Sequence, residues 1–328
     1  MFRYIIRRIL QFIPVFFGAT FLIFAMVFAI PGDPIQALAG DKPVDPTTKA
    51  VLEDRYNLED PLLEQYGKYI GLIPQDPTLD QEIAGEPGDG FAGVLQGEFG
   101  YSLNRRPVSD IMADAIPKTA KLALMAFVFE IVLGISAGVI AGLRRGSFAD
   151  NLVLVSTLAV IAIPVFVAGY AAQLIVGVRL GWAPVNAAQA TFGQLILPAM
   201  VLGATSLAYI ARLTRTSLNE NLRADYVKTA TAKGLPRTRV IGRHTLRNSL
   251  IPVITYLGID LGALMGGAII TEGIFNIPGI GRTVFEGIIR SDGPVVVGVT
   301  TFLVVIFMIS NLLVDVMYAW LDPRIRYE

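Results

Sequence analysis

Residues 225–252 read DYVKTATAKGLPRTRVIGRHTLRNSLIP, the least hydrophobic long stretch in the second half of the chain. The stretch lies between two segments that are apolar enough to cross a bilayer. Residues 212–248, which include most of it, contain nine Lys and Arg against two Asp and Glu, a balance of +7 (9 − 2). Basic segments between spans are typical of the cytoplasmic side of a membrane protein. This stretch therefore predicts a polar, helix-forming segment on the cytoplasmic side.

The composition of the whole chain is that of a membrane protein. The 328 residues are 53% hydrophobic with a mean hydropathy of +0.58. The apolar residues come in long runs rather than at amphipathic spacing, which predicts an all-α membrane protein. The absence of cysteine excludes disulfides, thiolate metal sites and cysteine nucleophiles. With a single histidine, His244, we expect no metal site and treat that residue as a surface residue.

Six runs meet the requirement of about 20 apolar residues for each crossing. They are residues 9–30, 122–143, 152–178, 192–211, 249–270 and 294–314. The first run carries no charge and is followed by FAIPGDP rather than by a small-residue cleavage site. It therefore predicts a retained anchor and not a secretory signal peptide.

The distribution of charge predicts how the spans face. Residues 31–116 contain 16 Asp and Glu against six Lys and Arg, a balance of −10 (6 − 16), and are expected outside. Basic residues expected at the cytoplasmic ends are Arg3, Arg7, Arg8, Arg144, Arg145, Arg324 and Arg326. The charge of every loop fits an alternation between the cytoplasmic and the outer side, so we expect a multi-pass protein with both termini in the cytoplasm.

The chain divides into three predicted parts. Residues 1–30 form the cytoplasmic N-terminus and the first span, residues 31–116 a small extracytoplasmic cap of short helices, and residues 117–328 a five-helix core that includes the cytoplasmic segment 212–248. In the cap, helical spacing of apolar residues is interrupted at Pro61. Residues 74–90 are rich in Pro, Gly and acidic residues and predict an exposed loop. A loosely ordered loop is the alternative for the whole outer part.

Within the basic segment, Val227, Ala230, Thr231 and Gly234 recur at helical spacing and predict one small, weakly apolar face. Gly234 fits the position just past a helix end, and Pro236 fits the first turn of a second helix over residues 236–245. A small face can enter a groove on another protein closely. The alternative is an amphipathic helix lying on anionic lipid, which favours bulkier apolar residues. The predicted docking residues are Asp225, Val227, Ala230, Thr231, Ala232, Gly234, Leu235 and Pro236.

This segment resembles the cytoplasmic EAA loop of ATP-binding-cassette (ABC) importer permeases. More narrowly, it resembles the B-type permeases of the peptide/nickel subgroup, which import dipeptides and oligopeptides. Three further blocks are similar to that subgroup: GEFGYSLNRRPVSDIMADAIPKTAKLAL (97–124), GGAIITEGIFNIPGIGR (266–282) and LDPRIRY (321–327). The segment departs from the generic loop at Thr229 and Thr231, and its closing Leu-Pro appears as LIP. Residues 74–90 are expected to be an insertion.

The resemblance implies the type I ABC importer permease fold in a bacterial cytoplasmic (inner) membrane. It also implies a homologous C-type permease, two cytoplasmic ATPase subunits, an extracytoplasmic solute-binding protein, a peptide substrate and no nucleic acid. Consistent with this, the sequence contains no GxxxxGK[ST] phosphate loop, because GKY at 67–69 lacks the required residues. We therefore expect a non-catalytic subunit that binds no cofactor, with ATP and Mg²⁺ held by the partner ATPases.

Several residues in and near the spans have alternative interpretations. Gly258, Gly262 and Gly266 form a doubled GxxxG pattern and predict a helix-packing seam. Asp260 is predicted to line the translocation path or to pair with another helix, and for Glu130 structural pairing is preferred. Asp315 is expected to fix the end of the last span, next to Tyr318, Asp322 and Arg324. Residues 272–282 predict a non-helical outer lip that meets the binding protein through Phe275, Pro278, Gly279 and Gly281, or else an ordinary loop.

Two other classes of protein compete with an ABC permease. A secondary transporter or channel often shows inverted repeats with broken helices, and no internal symmetry is visible in the sequence. A membrane hydrolase would need a motif such as GxSxG or HExxH. HExxH does not occur, and the GxSxG match GISAG (134–138) lies inside an apolar span rather than at a strand-to-helix turn, so this class ranks last. Within the ABC family, glutathione, nickel chelates and haem are alternative solutes, and the sequence alone does not decide among them.

Overall fold

The computed structural model describes residues 2–29, 53–54, 57–74, 93–104 and 106–321. Within these ranges there is no β-strand, and an isolated bridge pairs Tyr101 with Pro107. The main helices are α1 Phe2–Phe28, α2 Leu62–Ile70, α3 Val108–Leu143, α4 Phe148–Ala162, α5 Val165–Arg179, α6 Phe192–Asn221, α7 Asp225–Ala232, α8 Arg237–Arg239, α9 Leu246–Ser249, α10 Ile251–Phe275, α11 Ile280–Ile289 and α12 Gly293–Leu321. The all-α fold class is confirmed.

The number of spans agrees with the prediction once two bent helices are each counted as one. Four segments are long and apolar enough to cross a bilayer, namely Ile6–Phe28, Val108–Leu143, Phe192–Asn221 and Gly293–Leu313. The α4–α5 pair bends by 103°, and α10 bends by 52° between Leu264 and Ala268. The first bend occurs where Pro164 (ψ 140°) is extended, because proline has no N–H to continue the helical ladder.

The second span begins earlier than the sequence predicts. α3 starts at Val108, 14 residues (122 − 108) before the predicted start, and continues through Pro117. Residues 108–116 were expected in the outer cap because the apolar run of the second span begins at residue 122. At 36 residues, α3 is about 54 Å long, whereas a bilayer core is about 30 Å thick. It therefore extends beyond the hydrocarbon region.

One compact unit is formed mainly by Lys118–Pro278, together with the last part of α12. Its main core contains the fully buried side chains of Leu122, Leu195, Phe275 and Ile277. A capping box between Thr191 and Gln194 starts α6, which supplies many of the buried residues of this core. α6 is thus the central helix of the unit.

A seam of glycines brings α3 and α6 into close contact. Gly134, Gly138 and Gly142 are buried one turn apart on α3. A Cβ atom on Gly138 would lie 2.5 Å from the Ala211 carbonyl oxygen and 2.5 Å from Thr214 Cβ. Real contacts cannot be so short, so only glycine permits this approach of the two backbones. This seam is not among the predictions from the sequence, although it is legible as GxxxGxxxG in the second span.

The order of these contacts shows that α3 and α6 run in the same direction. Gly134 faces Ile210, Gly138 faces Thr214 and Gly142 faces Leu218, so both helices end on the same side of the unit. α10 then returns antiparallel to α6: Ser206 of α6 contacts Asp260, whereas Ser249, just before α10, contacts Ser217. The loop after Leu143 and residues 222–250 therefore lie on one side, as the charge pattern predicts.

The second unit comprises described parts of Arg7–Pro117 and Gly279–Ile306. Here α2 begins after Pro61, as predicted, and packs on α1, where the Tyr66 hydroxyl lies 2.8 Å from Thr20 Oγ1. The Tyr69 hydroxyl donates to Thr301 Oγ1 at 2.9 Å, and burial raises the pKa of Tyr69 above its usual range. This hydroxyl therefore keeps its proton and remains a hydrogen-bond donor.

Replacing Gly138 with alanine should destabilise the protein by about 1–3 kcal/mol, because the added methyl group overlaps a backbone carbonyl of α6 that cannot move freely. Thermal unfolding of the purified protein in detergent measures this change. Gly193→Ala near the start of α6 is the matched control, since no atom lies within 4 Å of its Cβ position. Equal unfolding temperatures for the two variants would contradict the importance of the seam.

Candidate functional site

The basic segment folds as a helical hairpin over residues 225–249, here called the basic hairpin. α7 ends in a Schellman motif: the Gly234 N–H donates to the Thr231 carbonyl at 2.9 Å, and the Leu235 N–H donates to the Ala230 carbonyl at 3.3 Å. Gly234 has φ +75°, a left-handed conformation that strongly favours glycine. The sequence predicts this role for Gly234.

The predicted small face of α7 points into the hairpin. Val227 and Ala230 are 7% and 8% exposed, and they pack with Val240 and Leu235. They are therefore unavailable for direct contact with another protein, which corrects the prediction for these two residues. The reason is that the second arm of the hairpin, which follows Gly234 and includes Val240, covers the apolar side of α7. The exposed predicted residues are Asp225, Thr231, Ala232, Gly234 and Pro236.

The second arm is longer and less regular than predicted. Pro236 (ψ 143°) precedes α8 instead of forming its first turn, and a π-helical segment, Val240–Thr245, connects α8 to α9. The Thr245 hydroxyl donates to the Val240 carbonyl within this segment at 3.1 Å. Ser249 Oγ contacts the Thr245 carbonyl at 2.8 Å and the Ser217 carbonyl of α6 at 3.4 Å. This buried serine, which the sequence analysis missed, attaches the hairpin to the bundle.

A buried ion pair on the same side joins α4 to α6. Both oxygens of Asp150 accept from the Arg215 guanidinium, and Oδ2 also accepts from the Gly146 N–H at 2.8 Å. Asp150 is 2% exposed. Arg145, Arg215 and Arg223 line a cavity of about 220 Å³ beside this pair. The sequence analysis missed Asp150, whose only local signal is its place after the helix-capping Ser147.

Asp260 and Glu130 are acidic residues in the middle of two spans of this unit. Asp260 on α10 is 7% exposed, and its Oδ1 accepts from Ser206 at 2.8 Å and from the Tyr256 hydroxyl at 3.3 Å. Glu130 on α3 is completely buried, and neither of its carboxyl oxygens has a hydrogen-bond partner. No hydrogen-bond donor in the described residues reaches Glu130, and its acidic neighbour is Asp260, so structural pairing of Glu130 stays a prediction. Ser206 and Tyr256 were not identified from the sequence.

Comparison with known proteins identifies the family. Residues 134–327 match the family described as binding-protein-dependent transport system inner membrane component, and residues 1–123 match the N-terminal family of such membrane components. The chain belongs to this permease family. The predicted membership of the B-type, peptide-subgroup permeases of ABC importers is confirmed, and the protein is a multi-pass membrane protein.

The similarity extends along the whole permease. The chain is 38% identical over 356 residues to the di/tripeptide transport system permease protein DppB of Pseudomonas aeruginosa. It is 35% identical over 329 residues to the glutathione transport system permease protein GsiC of Escherichia coli (strain K12), and 34% identical over 355 residues to the dipeptide transport system permease protein DppB of Alkalihalophilus pseudofirmus. Each comparison covers 100% of both chains. These relatives are transport permease subunits.

The structure corrects the predicted outer lip of the permease. α10 ends at Phe275, Asn276 turns the chain with φ +56°, and a new helix, α11, starts directly after Gly279. Phe275, Gly279 and Gly281 are buried and Pro278 is half-buried. The first three are therefore not presented to a binding protein. Gly279 and Gly281 are thus buried where a regular helix starts, and not in the irregular loop predicted from the sequence.

The three glycines of the predicted seam on α10 differ in their neighbours within the chain. A Cβ atom on Gly262 would lie 3.0 Å from Ser310 Cβ of α12, so this glycine packs against the last span. Gly266 has no such neighbour within 4 Å, and Gly258 is half-buried. The predicted roles of Asp315, Asp322, Arg324 and the 74–90 insertion concern side chains or segments largely outside the described part of the chain.

Gly234→Ala should loosen the basic hairpin locally, because a left-handed backbone costs an L-residue about 1–2 kcal/mol. Hydrogen exchange of residues 225–249 should become faster while exchange in α3 and α6 stays unchanged. Gly242→Ala is the control, since Gly242 lies in the second arm with no atom within 4 Å of its Cβ position. Unchanged exchange in Gly234→Ala would show that the Schellman turn does not hold the hairpin.

Proposed function

We propose that this permease forms half of the import path for dipeptides and oligopeptides, and that its basic hairpin receives motion from partner ATPases. The observation that supports the cargo is the full-length similarity, at 38% and 34% identity, to permeases named for di/tripeptide and dipeptide transport. Glutathione, named for a third relative, is itself a short peptide. The solutes named for these three relatives are therefore all short peptides.

The construction of the basic hairpin supports a role in coupling. Its two arms are held together by the contact of Val227 and Ala230 with Val240, and its base is attached to α6 through Ser249. A unit packed in this way moves as one body when its tip is pushed. The exposed tip and flank, including Thr231, Ala232 and Gly234, would meet the ATPase, while the inward residues maintain the shape of the lever.

The remaining partners follow from the same proposal. A homologous C-type permease would complete the path, and an extracytoplasmic binding protein would deliver the peptide. Two ATPases, which hold ATP and Mg²⁺, would bind on the cytoplasmic side, where both termini and the basic hairpin lie. The positive charge of residues 212–248 supports this orientation because basic residues are retained on the cytoplasmic side.

Asp260 is the residue of this chain that we propose to lie at the path. It is 7% exposed, and its neighbour Tyr256 stacks on Tyr209, with ring centroids 4.4 Å apart. Tyr209 is 44% exposed, so the polar cluster is continuous with the surface of the chain. A carboxylate beside aromatic rings suits a peptide amine, which is attracted both by the charge and by the ring faces.

Ala232→Trp should reduce co-purification of the ATPase at least tenfold and abolish peptide uptake, because the bulky ring occupies the exposed flank of α7. The matched control is Ala188→Trp, an equally exposed alanine just before the start of α6, at the opposite end of that helix. The control should retain the ATPase. Normal ATPase recovery and uptake in a correctly inserted Ala232→Trp complex would refute coupling through this surface. Ala230→Trp is less informative because it also disrupts the hairpin.

A transporter reconstituted with its own binding protein should hydrolyse ATP faster when a dipeptide or tripeptide is added. The expected order of stimulation is peptides first, glutathione next, and nickel chelates and haem without effect. Stimulation of ATPase activity in proteoliposomes is the measurement. Stimulation by a non-peptide solute alone would contradict the peptide assignment and leave the coupling role of the hairpin intact.

A further inference from the structure

Glu130 is the least compensated polar side chain in the described part of the first unit. It is 0% exposed, and both of its carboxyl oxygens are buried without a hydrogen-bond partner. Buried carboxyl groups nearly always have partners, and an unpaired charge inside a membrane protein is strongly unfavourable. The residue therefore needs a physical explanation that the packing alone does not supply.

The local backbone is also unusual. Glu130 begins the π-helical segment Glu130–Gly134 within α3, and such segments are frequently found at functional sites. Along α6, Gly203 lies against Ala126 and Ile210 against Gly134, so Glu130 lies beside the middle of this stretch. Ser206, in the same stretch, contacts Asp260, so the two acidic residues are at similar depths in the bundle.

The groups that act on Glu130 come from α10. Asp260 interacts with it directly, and Tyr256 is the other titratable group in reach. The rest of the local packing is apolar, with Ile210 of α6 and Val253 and Leu257 of α10 in one buried cluster. Within the described residues, no lysine or arginine forms an ion pair with Glu130. The site thus contains two acids and no basic residue to neutralise them.

The hydrogen bonds distinguish the two acids. Asp260 Oδ1 accepts hydrogen bonds from Ser206 and Tyr256, whereas Asp260 Oδ2 is buried and accepts none. Glu130 accepts from no donor. Two adjacent carboxylates cannot both remain ionised at low dielectric, so one must hold a proton. The acid without donors is the one that gains most from being neutral.

We propose that Glu130 and Asp260 form a one-proton site inside the membrane. Glu130 carries the proton and directs it toward the unpartnered Oδ2 of Asp260, whose Oδ1 accepts from Ser206 and Tyr256. The shared proton links the π-helical turn of α3 to α10, so the site needs no basic side chain to neutralise it. This site does not depend on the identity of the cargo or on the role of the basic hairpin.

Infrared difference spectroscopy of the purified transporter complex in lipid nanodiscs tests the site. At neutral pH, wild type should show a protonated-carboxyl C=O band that Glu130→Gln removes. Glu220→Gln, which alters an exposed acid of α6, is the matched control and should leave the band unchanged. A spectrum in which Glu130→Gln also leaves the band unchanged would overturn the proposal.

Asp260→Asn tests the location of the proton and serves if Glu130→Gln does not fold. The band should persist in this variant at a shifted frequency, because Glu130 stays protonated but meets a different acceptor. Loss of the band would place the proton on Asp260 and overturn the assignment to Glu130.

Thermal unfolding gives an independent measurement. A folded protein that binds a proton which the unfolded chain releases becomes less stable as the pH rises above the ordinary pKa of a glutamate, about 4.3. Glu130→Gln should reduce this slope relative to wild type, whereas Glu220→Gln should not. Identical slopes in wild type and Glu130→Gln would contradict the one-proton site.

Discussion

The close approach of α3 to α6 at Gly138 is the constraint on which the first unit depends. Only a residue without Cβ lets the Thr214 side chain and the Ala211 carbonyl occupy that position. In lipid, helices gain little from hydrophobic burial against one another, so close packing of small residues is a main source of their association. The seam holds two long helices parallel, and their ends then lie on the same side of the unit.

The positions of the two functional features follow from that arrangement. Because α6 and α10 are antiparallel, residues 222–250 must connect them at the end where α3 also finishes. The basic hairpin therefore projects from the side that carries Arg144 and Arg145, where the Asp150–Arg215 ion pair ties α4 to α6. The same helices bring Glu130 and Asp260 together in the interior. One packing seam thus positions both the polar interior and the basic hairpin.

The sequence predicts the number of helical spans and the location of the basic segment well because both are recorded in local composition. Gly234 is predicted correctly for a similar reason, since a left-handed helix end is a local requirement. The inward orientation of Val227 and Ala230 is different: it depends on Val240, which returns to α7 only after the Schellman turn. The early start of α3 was missed because residues 108–121 include charged side chains and so lie outside the apolar run that marks the span, although the helix is continuous there.

The outer turn shows the same limit. Glycine and proline between Glu272 and Arg282 predict irregular backbone, but the structure uses Gly279 and Gly281 as buried packing positions at the start of α11. The absence of hydrogen-bond donors around Glu130 was equally beyond sequence reasoning. A carboxyl group in a span is visible in the sequence. Whether hydrogen-bond donors reach it depends on helices that are distant along the chain.

Site-directed cross-linking tests the central claim, coupling through the basic hairpin, most directly. The chain has no cysteine, so Thr231→Cys introduces a unique thiol in this subunit, on the exposed side of α7. A photoreactive maleimide at this position should cross-link to the ATPase in the assembled transporter, and an impermeant maleimide added outside intact cells should not label it. Labelling from outside, or cross-linking to lipid without any ATPase adduct, would contradict the account.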